Sequence, residues 1–90
     1  MTGPFPLGQV VATPGALRLL ARSGEDPLLL LARHQSGDWG ELDPHDCSEN
    51  ELSLRHGWRL VSRYPVGEGV VWVITEADHS YTTIRLPEDY

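Results

Sequence analysis

The sequence predicts an α+β fold, with about three N-terminal helices followed by a three- to four-stranded antiparallel β-meander. Three observations predict it. Thr13-Pro14, Asp26-Pro27 and Asp43-Pro44 each set a capping side chain before a proline. Gly24, Gly37 and Gly57 stand where each of the resulting helices must stop. After Gly57 the apolar period changes from helical to alternating.

Residues 1–7, MTGPFPL, carry two prolines and a glycine, which predicts a mobile arm at the start of a single domain spanning residues 1–90. Gln9 to Ala12 reads as a short strand. Leu17, Leu20 and Ala21 recur at helical spacing behind Thr13. Leu28 to Leu31 form the apolar body of the second helix. The third helix has two possible starts, Asp43 or Ser48, because Ser48 and Glu51 also make a capping-box pattern. WRLVSRYP, VVWVITE and YTTIRLP are then three strands, joined by VGEG and ADHS, both short enough for hairpins.

Alternation assigns faces to those strands. Leu60, Ser62 and Tyr64 oppose Arg59, Val61 and Arg63; Val71 and Val73 oppose Trp72 and Ile74; Thr82, Ile84 and Leu86 oppose Tyr81, Thr83 and Arg85. One face must pack on the helices. The other shows Arg, Thr and Tyr around an apolar stripe, a composition found at binding hot spots when no other element covers it.

Composition narrows the function classes. Thirteen acids face seven bases, all Arg, for a formal net charge of −6. Such a chain lacks the clustered cations that phosphate contacts need, so direct nucleic-acid binding is disfavoured and a basic protein surface is the better partner. No apolar run is long enough to span a membrane. The start lacks the basic and apolar regions of a signal peptide, and the single Cys47 fits a reducing compartment, so a cytoplasmic location is expected.

The stretch SGDWGELDPHDCSENE, residues 36–51, concentrates the acids Asp38, Glu41, Asp43, Asp46, Glu49 and Glu51 with no Lys or Arg among them. Several sit at a helix N-terminus, where acids complement the dipole, so capping is their first role and a partner surface their second. The four histidines include no pair at i, i+4, and Asp43, His45, Asp46 and Cys47 read as solvated polar residues at a helix start; no metal or cofactor is expected. His34 follows Leu30 and Leu31 on the buried stripe of the second helix, so a packed, hydrogen-bonded imidazole is its default. Trp39, between two glycines, reads as a core plug at a tight turn.

FPLGQVVATPGAL, LLARHQSGDWGEL, ENELSLRHGWRLVSRY and VWVITEADHSYTTIRLPEDY together resemble a family of small bacterial proteins found on plasmids and in mobile regions. The resemblance covers nearly the whole chain, and its GDWG (37–40) and ITEAD (74–78) stretches are its most specific parts. The family usually has Arg where this chain has His79. The resemblance implies a genetic context and no mechanism.

Two functions follow, with a scaffold lacking any ligand as a third. The first is a small acidic protein-interaction module of a mobile element, an inhibitor of a host defence complex of the restriction or CRISPR type, binding through the six acids named above. The second is an enzyme, and is the less favoured. The order of elements resembles small ribonucleases of the barnase and RelE type, with His34 as general acid/base, Arg59 and Arg85 as phosphate clamps, and Thr83 and Tyr81 as positioning groups.

Overall fold

The computed structural model describes residues 5–89. The element order is β1 (Gln9–Ala12), α1 (Pro14–Ser23), α2 (Pro27–Gln35), α3 (Pro44–His56), β2 (Leu60–Val66), β3 (Gly69–Thr75) and β4 (Tyr81–Arg85). Each helix starts as the Thr/Asp-Pro signals require. Thr13 accepts from the Ala16 amide, Asp26 from Leu28 and Asp43 from Asp46, with Pro in the first turn every time. The third helix therefore starts behind Asp43, and Ser48 lies inside it. Gly24 and Gly57 close α1 and α3 in the left-handed region, at φ 71 in both cases.

The four strands form one sheet in the order β1-β4-β3-β2. The meander β2-β3-β4 is antiparallel as expected, and β2 turns into β3 through Gly67-Glu68, with Val66 opposite Gly69. The fourth strand corrects the antiparallel reading: β1 runs parallel to β4, with Gln9 opposite Tyr81 and Ala12 opposite Ile84. A parallel pair needs a long crossover. Here that crossover is almost the whole chain, which places the first strand beside the last.

α1 and α2 cover one face of the sheet. Ala16, Leu19, Leu20, Leu30 and Leu31 pack there against Tyr64, Val66, Val71, Val73 and Ile84. A smaller cluster of Phe5, Trp39 and Leu60 extends this core, with Leu42, Cys47 and Leu54 against it. Phe5 corrects part of the expected mobile arm. Residues 1–4 lie outside the described residues, but Phe5 is 4% exposed, and its ring stacks on Trp39 at 6.2 Å. Among the described residues, no helix is long and apolar enough to cross a membrane.

α3 lies along the outer edge of β2. Asn50 reaches that edge with both ends of its side-chain amide, accepting from the Val61 N–H at 3.1 Å and donating to the Val61 carbonyl at 2.7 Å. Two residues on, the Arg63 N–H donates to the Trp39 carbonyl, and the Arg63 carbonyl accepts from the Glu41 N–H. Pro65, two residues further, has no N–H to offer. Each outward-facing N–H of β2 is thereby paired or absent, which helps keep a sheet edge from pairing with a stranger.

Candidate functional site

The GDWG stretch is built for local architecture. Asp38 accepts from the Arg33 guanidinium at 2.7 Å and from the Gly40 amide at 3.1 Å, and the hydrogen bond from Arg33 holds its carboxyl below the ordinary carboxylate value. The Asp38 carbonyl accepts from the Tyr64 hydroxyl at 2.5 Å, and the Arg33 guanidinium lies 4.5 Å over the Tyr64 ring. Trp39 is 5% exposed, with its indole N–H donating to Glu51 at 3.2 Å. Gly40 sits at φ 73 with its Cα against the Arg63 carbonyl and the Tyr64 ring, where any side chain would collide.

The six acids of residues 38–51 therefore divide. Asp38 pairs with Arg33, Glu41 with Arg63 at 3.4 Å, Asp43 caps α3, and Glu51 holds Trp39. Asp46 and Glu49 remain on the exposed side of α3, and Glu49 lies 3.6 Å from His45 one turn back. These two acids flank a cleft of about 420 Å³ between α3 and the sheet, whose floor includes Leu42, Arg59, Val61 and Trp72. The Trp72 indole N–H is buried there with no hydrogen-bond partner among the described residues. A larger cleft of about 540 Å³, where α1 meets the β2–β3 turn, contains none of the candidate catalytic or partner-binding residues.

The sheet face that bears Trp72 contributes no residue to either apolar cluster. In register across it run Arg63, Trp72 and Arg85, and beside them Val61, Ile74, Thr83 and Val11. This is the Arg-Thr-Tyr face around an apolar stripe that alternation predicts. Tyr81 is 43% exposed at one end of it.

His34 lies on the opposite, helix-covered side, at 0% exposure. Its Nδ1 is 2.5 Å from the Ser62 hydroxyl and its Nε2 is 2.9 Å from that of Thr75. Thr75 is in turn 2.7 Å from Thr82, which donates to the Leu7 carbonyl at 2.7 Å. One proton per hydroxyl assigns the direction of the whole chain. Thr82 spends its proton on Leu7, so Thr75 donates to Thr82 and accepts from Nε2–H. With the imidazole kept neutral by its burial, Nδ1 then accepts from Ser62. Burial pushes its pKa down to about 4. The rings of Phe5 and Trp39 meet it edge-on at 5.2 and 5.7 Å.

The residues of the ribonuclease reading are thus divided between the two faces. His34 is inside; Arg85 and Thr83 share the outer face with Tyr81, and Arg59 stands exposed just before β2, beside α3. Ser62, Thr75, Thr82 and Asn50 were not singled out as functional from sequence. For the three hydroxyls a signal existed: alternation puts Ser62 between Leu60 and Tyr64, and Thr82 beside Ile84, on a face that must be buried, and buried hydroxyls need partners. Among the described residues, no three His, Cys, Asp or Glu side chains gather as a metal ion would need. Compared with known protein families, curated proteins and solved structures, the chain matches none.

Proposed function

We propose that the protein is a small acidic protein-interaction module that binds a basic protein surface at the α3 side of its sheet. The observation that carries this reading is the division of labour among the acids. Four of the six are spent on capping or on partners within the fold, while Asp46 and Glu49, the latter beside exposed His45, stand exposed at a cleft lined by Trp72, Val61 and Arg59. An aromatic floor with acids at its rim suits an Arg or Lys side chain, whose stem packs on the ring while its charge meets the carboxylates. The net charge of −6 steers such an encounter. A mobile-element inhibitor of a nucleic-acid-handling defence complex fits the same chemistry, since such complexes carry basic grooves; its only other support is the resemblance described above.

The test is affinity capture from nuclease-treated bacterial lysate with wild type and an Asp46→Arg/Glu49→Arg variant, both positions being exposed and free of capping duty. A stoichiometric partner retained by wild type and lost by the variant is expected. Equal recovery by both would remove the acidic cleft from the interface.

A further inference from the structure

The two edges of the sheet are treated in opposite ways. Every outward N–H of the β2 edge is paired or absent, through Asn50, the Trp39 carbonyl and Pro65. At the β1 edge, the Gln9 N–H goes to the Ser80 carbonyl and the Thr13 N–H to the Ile84 carbonyl. In a parallel ladder that alternation turns Gln9, Val11 and Thr13 toward β4, and Val10 and Ala12 away from it. Among the described residues nothing pairs with the backbone of Val10 or Ala12. Val10 and Val11 are 42% and 41% exposed, and β1 (QVVA) carries no charge, no proline and no bulge to repel another strand.

We propose that this edge pairs with the β1 edge of a second copy, antiparallel about a twofold axis at Val11, joining the two sheets into one of eight strands. The occupant follows from register. Centring the axis on Val11 sets Val10 opposite Ala12 of the second copy and Ala12 opposite its Val10, so that every outward N–H and C=O finds a partner. Centring it on Val10 instead would oppose Ala12 to Gly8, which at φ 67 is not extended. The same choice of axis continues the outer face. The row Val61–Ile74–Thr83–Val11 runs across one sheet and ends at the open edge. With Val11 against Val11 it proceeds in reverse across the second. Because β1 is uncharged, the joint opposes no like charges even though each chain carries −6.

The experiment is sedimentation over a concentration series, with amide hydrogen exchange on the same samples, for wild type, Val11→Lys and Val10→Pro. Val10→Pro deletes only an outward N–H, so the monomer keeps its ladder to β4 while the joint loses a symmetric pair of bonds. Wild type should rise with concentration to twice the 10.0 kDa monomer mass, with Val10 and Ala12 amides slowing as it does. Both variants should stay at monomer mass with unchanged near-ultraviolet dichroism from the three Trp. A wild type that stays monomeric at every concentration with freely exchanging Val10 and Ala12 amides overturns the proposal. So does a dimer undiminished in both variants, or protection of those amides that appears only when a different protein is added.

Discussion

Acid should loosen this protein well before its carboxylates titrate, and His34 is the reason. In the folded chain the imidazole is fully buried, neutral and fixed between Ser62 and Thr75, with its pKa lowered from 6.5 to about 4 by burial. The unfolded chain regains the ordinary value and so binds the proton first. Stability therefore rises with pH between the two values and is lost as pH falls from 6.5 toward 4. The loss from this one group amounts to about 2 kcal/mol between pH 7 and pH 5, and about 3 kcal/mol by pH 4. The depressed carboxyls of Asp38, Asp78 and Asp89 act in a lower window, because their unfolded value is already 3.8. Urea unfolding followed by Trp fluorescence at half-unit steps from pH 7.5 to 4.5 measures the slope. His34→Gln, which can still meet a hydroxyl but does not titrate, should flatten it even if the variant is less stable throughout. A wild-type stability that is level from pH 7 to 5, or an imidazole seen by NMR to titrate near 6.5 in the folded state, would refute the argument.

Two substitutions test the architecture around α3. Gly40→Ala must place a methyl group into the Arg63 carbonyl and the Tyr64 ring at φ 73, and should cost about 3 kcal/mol or more in urea unfolding. Gly24→Ala at the same kind of φ, with nothing near its Cα, should cost only about 1 kcal/mol; similar costs for the two would show that the close approach at Gly40 is unimportant. Asn50→Ala leaves the Val61 N–H and C=O unpaired at the β2 edge and should cost about 2–4 kcal/mol, and Asn50→Asp should be no milder, because its carboxylate accepts from the N–H but sets a second oxygen against the carbonyl to which Asn50 donates. An Asn50→Ala chain as stable as wild type would mean that water satisfies that edge equally well.

The helices and hairpins were legible because their signals are local. A capping oxygen two or three residues before a free amide, a proline in the first turn and a glycine at a left-handed stop all act within one turn of backbone, and all three helices start where the capping residues and prolines stand. The faces of the strands were legible for the same reason. The direction of β1 was not, because four residues of strand carry no mark of which way their neighbour runs; that depends on where the chain returns after Tyr81. The burial of Phe5 escaped for a related reason: prolines and glycine predict an extended segment, and extension does not say what a ring at its end meets. Of the candidate site, the packing of His34 followed from helical spacing, but its two hydroxyl partners come from two different strands, and Thr82 behind them from a third. The acids were visible as a cluster, and only their partners separate Asp46 and Glu49 from those spent on capping and pairing.

The parallel pairing of the first strand with the last also sets an order of events as the chain is made. β1 is made before every other described element, yet its neighbour in the sheet is β4, and Thr13 waits for Asp89, 76 positions later. α1 and α2 emerge with their apolar sides ready and no sheet to lie on, since Tyr64, Val71 and Ile84 are still to come. Nothing large can be completed until β4 has been made, so this part of the nascent chain stays open until then and closes with its first strand against its last.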